Sequence, residues 1–291
     1  MKTSKKVIAV SGGPDSMFLL NWCMNEYGID NIVVASVNYK TRKNSDFEIE
    51  LVKKYCQKNN IIFESIVCDK QYAEGNFENW ARNQRYDFFK TIYIKYNCDL
   101  LILGHHKDDF IETAQMQLES NRFPDFLGIK SINLLKNMNI YRPFVNKYFK
   151  EEIVELVQKN NIPFCIDESN FDMKFKRNLI RDNNRSLSKQ EKENIYRSIL
   201  EKNKQLTFEK NEVDREYNDW KNSFYTQDFF QSLKYKKRLI YKYIHTHFNE
   251  VKLSSSKLES IIEWYLSKNR TSSYLLKKDT RINKKSGKLL N

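Results

Sequence analysis

A glycine-rich loop, Ser11-Gly12-Gly13-Pro14-Asp15-Ser16, constrains the fold of this 291-residue chain more than any other feature. It follows the apolar run 7–10, which predicts a buried strand, and precedes residues 17–22, which predict a helix packed on a sheet. Two glycines permit a sharp turn, and the start of the helix adds exposed N–H groups and partial positive charge. The loop can therefore hold an anion, although an ordinary turn without a ligand is the alternative. No lysine follows the glycines, so the loop is not of the Walker type.

Four short apolar runs predict buried strands, at residues 7–10, 32–37, 61–67 and 100–103. Helical periodicity lies between them, most clearly over 77–96. Continuous apolar strands that alternate with helices predict an α/β fold, a Rossmann-like parallel sheet of about five strands with helices on both faces. Ligands bind such a sheet at the carboxyl ends of its strands.

A second polar cluster, Gly104 to Thr113, directly follows the fourth predicted strand. A helix that starts there brings Asp108, Asp109 and Glu112 to about one side. The alternative to a functional role is that Asp109 simply caps this helix. Because Mg²⁺ prefers one or two carboxylates together with phosphate oxygens, the pattern favours a Mg²⁺ site at Asp108 and Asp109. Zinc is less favoured, since no cysteine is near.

The positive charge is unevenly distributed along the chain. Residues 1–170 hold 22 Lys and Arg against 22 Asp and Glu, whereas residues 171–291 hold 28 against 15, which accounts for the whole net charge of +13. All prolines precede residue 170, and the only later glycine is Gly287. A basic, mainly helical C-terminal region is therefore predicted. A solvated face is one explanation of its charge, and a polyanionic partner is the other.

Two groups of basic residues have a more specific interpretation. Arg82 and Arg85 are three residues apart and project from one helical face, where a permanent planar cation suits phosphate binding. A further cluster coincides with the change in charge balance, at Lys174, Lys176, Arg177, Arg181 and Arg185. Alternatively, Arg82 and Arg85 are ordinary solvated surface residues. The cluster from Lys174 to Arg185 could likewise be a solvated connector.

The remaining composition predicts a cytoplasmic protein. Five dispersed cysteines without a Cys-x-x-Cys pair are typical of reduced core thiols. No apolar run reaches eighteen residues, and no leader peptide is recognisable, so no membrane association is expected. The sequence assigns no oligomeric state.

Several motifs in combination resemble the tRNA(Ile)-lysidine synthetase family of the PP-loop ATP pyrophosphatase superfamily. The first two are Ser-Gly-Gly-x-Asp-Ser in the loop and His-His-x-Asp-Asp-x-x-Glu-Thr after the fourth strand. The others are Ala81-Arg82 with Arg85-Tyr86, Arg142-Pro143-Phe144, Asp167-Glu168-Ser169-Asn170, and Lys176-Arg177-Asn178 with Arg181. The resemblance covers roughly residues 5–185. At the end of strand two, this chain has Ser36 to Tyr39 where the family usually carries histidines.

The resemblance implies an ATP-dependent ligase that attaches free L-lysine to carbon 2 of the wobble cytidine of an isoleucine tRNA. An adenylated tRNA would be the intermediate, and AMP and pyrophosphate the other products. It also implies a division into a catalytic domain over 1–186 and a basic helical tRNA-binding domain over 187–291. The residue assignments that it implies are as follows. The loop Ser11, Gly12, Gly13, Pro14, Asp15 and Ser16 binds ATP; Asp108, Asp109, Glu112, Arg82, Arg85 and His105 are catalytic; Lys174, Lys176, Arg177, Asn178, Arg181 and Arg185 contact tRNA.

Two alternatives remain open from the sequence. One is a tRNA thiolase of the same superfamily, which is disfavoured because no cysteine adjoins either motif. The other is a nucleotide-gated tRNA-binding module that performs no chemistry.

Overall fold

A computed structural model describes residues 4–40, 44–68, 77–120, 124–165 and 176–290, without the side chains of residues 78 and 176–178. The chain forms two compact units. The first comprises Met1–Met116 and Gly128–Tyr196, and the second comprises Gln117–Leu127 and Arg197–Asn291.

The first unit is a sheet with helices on both faces. Its strands are β1 (Lys5–Ala9), β2 (Ile32–Asn38), β3 (Ile62–Val67), β4 (Cys98–Ile102), β5 (Ile132–Leu135) and β6 (Met138–Tyr141). Its helices are α1 (Pro14–Tyr27), α2 (Ser45–Lys58), α3 (Phe77–Lys95), α4 (Lys107–Glu119), α5 (Lys150–Lys159), α6 (Lys176–Arg185) and the start of α7 (Lys189–Asn222). The predicted α/β fold is confirmed.

The strand order explains why two distant polar clusters meet. The order is β3-β2-β1-β4-β6-β5, and β1 pairs in parallel with both β2 and β4. The chain moves outward from β1 in one direction and then returns to the other side at β4. In open parallel sheets, this reversal leaves a crevice at the carboxyl ends of the two central strands. The loop after β1 and the acidic cluster after β4 both lie at that crevice.

Both faces of the sheet are covered, as the apolar strands predict. One face packs against α1, α2 and α5 through buried residues such as Leu19, Val52 and Ile153. The opposite face packs against α3 through Tyr86, Phe89 and Ile92.

A short hairpin, β5–β6, departs from the predicted all-parallel sheet. Strand β6 pairs in parallel with β4, whereas β5 pairs antiparallel with β6. Lys136 and Asn137 form the turn, with φ values of 50° and 61°. Two left-handed residues suit a tight hairpin, but Lys-Asn lacks the glycine that usually signals one in a sequence. Each strand has only four residues, too few for a clear alternation.

The second unit is helical with a small terminal sheet. It contains most of α7, then α8 (Gln227–Ser232), α9 (Lys236–His247), α10 (Ser255–Leu266), β7 (Ser272–Lys277), β8 (Thr280–Lys285) and β9 (Lys288–Leu290). Its core is rich in aromatic side chains, with Trp220, Phe230, Tyr243 and Tyr265 all fully buried. Aromatic side chains of this unit thus serve mainly as core residues.

Strands β7, β8 and β9 form an antiparallel sheet in the order β7-β8-β9, and this sheet contains the lysine-rich C-terminal tract. Lys284 in β8 is only 2% exposed. Its ammonium group donates to the carbonyl oxygens of Trp264 and Tyr265, at 2.7 and 3.0 Å, and to the Ser267 hydroxyl at 3.0 Å. A lysine thus satisfies the carbonyl groups that the end of α10 leaves without helical partners.

Two further features follow from the described residues. The five cysteines are free, and four of them are buried. Among the helices described, none has both the length and the apolar character needed to cross a lipid bilayer.

Replacing Lys284 with Met should lower the free energy of unfolding by about 2 kcal/mol, because buried carbonyl oxygens would lose their donor. Urea unfolding followed by tryptophan fluorescence measures the effect. The matched control is Lys285→Met, the exposed neighbour, which should change stability by less than about 0.5 kcal/mol. Equal effects would mean that the capping contacts of Lys284 contribute nothing.

Candidate nucleotide-binding and catalytic site

The loop between β1 and α1 is held by its own serine side chains. The Ser16 hydroxyl accepts the Ser11 N–H at 3.1 Å and donates to the Gly13 carbonyl at 2.9 Å. From outside the loop, the Cys165 N–H donates to the Gly12 carbonyl at 2.9 Å. Helix α1 begins with proline at its first position, a residue pre-organised for a helix start. The loop is therefore shaped before any ligand binds.

Glycine is required at two points of close backbone approach. Gly12 has φ of +91°, and a Cβ there would lie 3.1 Å from the Glu48 carbonyl oxygen. A Cβ on Gly104, just after β4, would lie 3.2 Å from the Asp15 carbonyl oxygen. The turn after β4 therefore contacts the loop after β1 directly, which unites the two predicted motifs.

A partly apolar cavity of about 260 Å³ opens beside the loop. The loop supplies Ser11, Gly13, Asp15 and Ser16 to its lining. The opposite walls are Ala9, Val10, Ala35, Val37, Tyr39, Arg85, Tyr86, Phe89, Leu103, Gly104 and His105. A polar loop against an apolar wall suits a nucleotide, with its phosphates on the loop and its base against the wall.

A second, charged cavity of about 320 Å³ shares Asp15 with the first. Its other lining residues are His106, Asp108, Asp109, Glu112, Lys150, Glu151, Arg181, Asn184, Arg185 and Lys192. Acidic and basic side chains thus line the second cavity together. The Asp15 carboxylate belongs to the walls of both cavities.

His106 lies among three carboxylates in this second cavity. Its Nε2 is 3.9 Å from Asp15 Oδ2 and 3.4 Å from Asp109 Oδ2, and its Nδ1 is 3.3 Å from Asp108 Oδ2. Burial alone would lower the pKa of His106, but the Asp109 charge, the Asp108 hydrogen bond and Asp15 raise it to about 9. The imidazole is therefore a cation at neutral pH.

Asp108 is held as a carboxylate from several sides. Asp108 Oδ2 accepts a hydrogen bond from the backbone N–H of Lys150 at 2.8 Å, and Lys192 Nζ lies 3.4 Å from Asp108 Oδ1. Burial alone would raise the pKa of Asp108, but the His106 hydrogen bond and charge, with Lys150 and Lys192, lower it to about 2. Asp15 in turn binds the Lys150 ammonium group through Oδ2.

Glu112 and Arg181 form a bidentate pair. Arg181 Nε donates to Oε1 at 2.9 Å, and Nη2 donates to Oε2 at 3.1 Å. Glu112 is only 2% exposed, and the same guanidinium group approaches Asp109 Oδ1 at 3.9 Å. Burial would lower the pKa of Arg181, whereas its bond to Glu112 raises it. Such planar pairs fix orientation as well as charge.

The PP-loop domain family matches residues 1–187, more than half of the chain. The tRNA(Ile)-lysidine synthase of Mycoplasmopsis pulmonis is 39% identical over 276 residues, covering 94% of each chain. That of Mesomycoplasma hyopneumoniae is 35% identical over 299 residues, covering 98% of this chain and 95% of its own. The chain belongs to the tRNA(Ile)-lysidine synthase family. The resemblance drawn from the sequence motifs is thereby confirmed.

A solved structure with the same fold is the U34-tRNA thiolase NcsA from Methanococcus maripaludis, with its [4Fe-4S] cluster. It is 19% identical, with a TM-score of 0.55, and the match covers 69% of this chain and 72% of NcsA. At this identity, the likeness concerns the fold alone. In this chain, no cysteine is found among the described residues that line the two cavities.

The structure brings most of the predicted site residues together, but in two groups. Arg85 and His105 line the apolar cavity, whereas Asp108, Asp109 and Glu112 line the charged one. Arg82 is exposed on α3 and lines neither cavity, with its guanidinium carbon 4.9 Å from the ring centre of Tyr86.

The predicted tRNA-contact group is divided in the same way. Arg181 and Arg185 line the charged cavity. Lys174 lies outside the described residues, as does the segment 167–170 of the family motif. Lys176, Arg177 and Asn178 begin α6, but their side chains lie outside the description.

Sequence reasoning missed His106, Lys150 and Lys192. His106 directly follows His105 after the end of β4. Because successive side chains of an extended chain point to opposite sides, the sequence could have assigned the two histidines to different cavities. Lys150 begins α5 and Lys192 lies in α7. No local pattern marks either as a partner of a carboxylate.

The residues at the two cavities fit a Mg²⁺ ion that is shared with phosphates. Among the described residues, no three His, Cys, Asp or Glu side chains form a complete metal cage. Mg²⁺ does not need one, since one or two carboxylates and phosphate oxygens suffice. Asp15 Oδ1 is buried and accepts no hydrogen bond from the described residues, which leaves an acceptor beside Asp109 and the loop.

Replacing Gly12 with Ala should lower the free energy of unfolding by about 1–3 kcal/mol, because its positive φ and its approach to Glu48 both disfavour a side chain. The matched control is Gly13→Ala, where φ is −76° and the nearest atom to an added Cβ is 3.9 Å away. The control should keep or slightly raise stability in urea unfolding. Equal losses would show that the conformation of Gly12 is not what requires glycine.

Proposed function

We propose that this chain ligates free L-lysine to carbon 2 of the wobble cytidine of an isoleucine tRNA, in two steps that use ATP. The observation that carries the proposal is the shared wall at Asp15. The partly apolar cavity beside the loop and the charged cavity meet there, in a chain of the tRNA(Ile)-lysidine synthase family. ATP occupies the first cavity, and lysine the second.

The first step joins the cytidine to AMP. The cytidine oxygen at carbon 2 attacks the α-phosphorus of ATP, an O–P bond forms, and the bond to the β-phosphate breaks to release pyrophosphate. The loop from Ser11 to Ser16 holds the phosphates with N–H and hydroxyl groups at the start of α1. Arg85, which lines the same cavity, offsets the negative charge that develops.

Mg²⁺ held by Asp15, Asp108 or Asp109 would neutralise phosphate charge during this step. Asp109 and Asp15 both approach His106 Nε2, so they face the same point in the charged cavity. The residues of the chain thus keep carboxylates near the loop without surplus negative charge, because His106 and Lys150 balance them.

The second step forms the C–N bond. The lysine amine attacks carbon 2, the bond from carbon 2 to the AMP oxygen breaks, and AMP leaves. In the charged cavity, Arg185 and Lys192 bind the carboxylate of lysine, and the acidic wall receives its ammonium group. Both ends of the amino acid thereby find opposite charge.

Asp109 is the group that accepts the proton of the amine. His106 is already a cation at neutral pH, and the lowered pKa of Asp108 makes it a poor base. Glu112 uses both oxygens to accept bonds from Arg181. The Asp109 side chain also accepts a hydrogen bond from the backbone N–H of His106 at 3.0 Å. The predicted capping role and the catalytic role therefore coexist in one side chain.

The two parts of the chain have different roles in this proposal. Residues 1–186, with Lys192, carry the chemistry, and residues 187–291 bind the tRNA through their excess of basic residues, 23 Lys and Arg against 13 Asp and Glu. The cytoplasm supplies ATP, free lysine and tRNA. A tRNA thiolase is disfavoured because no cysteine lines either cavity in the described part. A binding module without chemistry would release no AMP.

Replacing Ser16 with Ala should abolish pyrophosphate release and leave the affinity for tRNA nearly unchanged. The Ser16 hydroxyl shapes the loop through Ser11 and Gly13, whereas tRNA contacts lie elsewhere. Pyrophosphate release and tRNA binding are measured on one preparation, together with the melting temperature. A parallel loss of both activities in a folded variant would contradict the separation of roles.

Replacing Asp109 with Asn should lower turnover at least ~100-fold, the scale for loss of a positioned proton acceptor. Asn keeps a side-chain oxygen that can accept the backbone N–H of His106, so the melting temperature should change little. The control is Asp87→Asn, an exposed aspartate on α3 that pairs with Lys136. AMP release and RNA-bound lysine are measured separately. Normal turnover in the variant would make Asp109 a helix cap only.

A further inference from the structure

The outer face of the C-terminal sheet carries an unusual group of side chains. Alternation along the strands buries Ile282, Lys284 and Leu289 and exposes the residues between them. We call the exposed group, defined by Leu275, Arg281, Lys285, Lys288 and Leu290, the basic sheet face. Leu275 lies opposite Arg281, and Lys285 lies opposite Lys288, so the group is continuous across all three strands.

The positive charge of this face is not neutralised. Asp279, in the β7–β8 turn, is the only acidic residue between positions 268 and 290. In the described part of the chain, no carboxylate lies within ion-pair distance of Arg281, Lys285 or Lys288, and Arg281 contacts only the Ser273 hydroxyl at 3.4 Å. Directly opposed like charges, such as Lys285 and Lys288, destabilise a sheet.

Several basic residues of the helices in the same unit are paired with carboxylates. Lys242 pairs with Asp214 at 2.7 Å, Arg238 with Glu209 at 3.3 Å, and Lys237 with Glu259. Their charges are already balanced by neighbours. These three helical cations thus differ from Arg281, Lys285 and Lys288, which have no such carboxylate among the described residues.

Large apolar side chains accompany these cations. Leu275 is 47% exposed and Leu290 is 43% exposed. Phe224, at the end of α7, is 72% exposed, and Lys288 Nζ lies 5.4 Å from the centre of its ring. Lysines on an edge strand can simply prevent strand pairing between molecules. That explanation leaves the exposed leucines and the phenylalanine unexplained.

The backbone of Phe224 is itself unfavourable for this residue type. The Tyr225 N–H donates to the Trp220 carbonyl and the Phe224 N–H to the Lys221 carbonyl, both at 2.9 Å. This is the helix-ending motif in which glycine normally occupies the left-handed position, and Phe224 has φ of 58° there. An exposed aromatic side chain thus replaces glycine where glycine would be more stable, and such outliers point to function.

We propose that the basic sheet face and Phe224 bind RNA, with Arg281, Lys285 and Lys288 on backbone phosphates and the Phe224 ring stacked on an unpaired base. Cations on a sheet face beside an exposed aromatic ring provide the two interactions by which proteins bind single-stranded RNA. The identification of that RNA as the tRNA substrate rests on the proposed function. In the proposed site, three cations and the Phe224 ring contact that RNA.

The test compares two triple variants of the full chain that lose the same charge. One replaces Arg281, Lys285 and Lys288 with Gln. The control replaces Lys53, Lys54 and Lys58, three exposed lysines of α2 that lie outside residues 187–291, with Gln. Binding of fluorescently labelled isoleucine tRNA is titrated over a range of KCl concentrations. The face variant should lose about 0.7–0.9 of the slope of log affinity against log salt per cation, and the control should keep the wild-type slope.

Several outcomes would overturn the proposal. Equal loss of slope in both triple variants would mean that only net charge matters. Wild-type protein that binds no tRNA would also overturn it, and lysine transfer by the same preparation tests the proposed function separately. Binding to phosphatidylserine vesicles that depends on the face, with unchanged tRNA binding, would assign the face to a membrane. The double variant Lys285→Arg with Lys288→Arg, which keeps both charges, should preserve the wild-type slope, and a loss of slope there would contradict phosphate contacts.

A single substitution separates the role of Phe224 from a structural one. Phe224→Gly should raise the melting temperature, because glycine accepts the left-handed conformation, and should weaken tRNA binding about tenfold through the lost stacking. A side chain that only supported the fold would lower the melting temperature when removed. Unchanged tRNA affinity in the Gly variant would exclude Phe224 from the site.

Discussion

The close backbone contact between the turns after β1 and β4 is the constraint on which the candidate site depends. Parallel pairing of Val7 with Leu101 brings the two strand ends side by side. The absence of a side chain at Gly104 then lets its backbone approach the Asp15 carbonyl. A larger residue there would push apart the loop and the acidic helix α4. Asp15 would no longer be a wall common to the apolar and charged cavities.

The charged cavity is stable because its carboxylates are paired with cations from distant parts of the chain. Arg181 binds Glu112 across 69 residues of sequence, and Lys192 and His106 balance Asp108. Burying these groups is costly, and the pairing offsets that cost only while each partner is present. The arrangement therefore holds the site rigid, and a substrate can enter by exchanging its own charges for those already present.

The sequence predicted the local parts of this arrangement but not its long-range pairing. Strand periodicity and the placement of polar residues after strands located Ser11 to Ser16 and Asp108 to Glu112, since the pleat and the parallel sheet determine where strand ends lie. The pairing of Arg181 with Glu112 depends on tertiary packing, and no local pattern encodes it. The hairpin at Lys136 and Asn137 was missed for the opposite reason, because its turn lacks the usual glycine signal.

The lysine-rich C-terminus shows why a count of charges cannot by itself define a binding surface. Lys284 and Lys285 are neighbours in β8, yet the pleat buries the first among carbonyl oxygens and exposes the second beside Lys288. Burial lowers the pKa of Lys284, whose ammonium group serves the end of α10. The alternation of one strand thus divides a basic tract into structural charge, already satisfied inside the unit, and free charge that only an external anion can satisfy. An RNA backbone supplies such anions at regular spacing, which is the physical basis of the proposal that Arg281, Lys285 and Lys288 contact RNA.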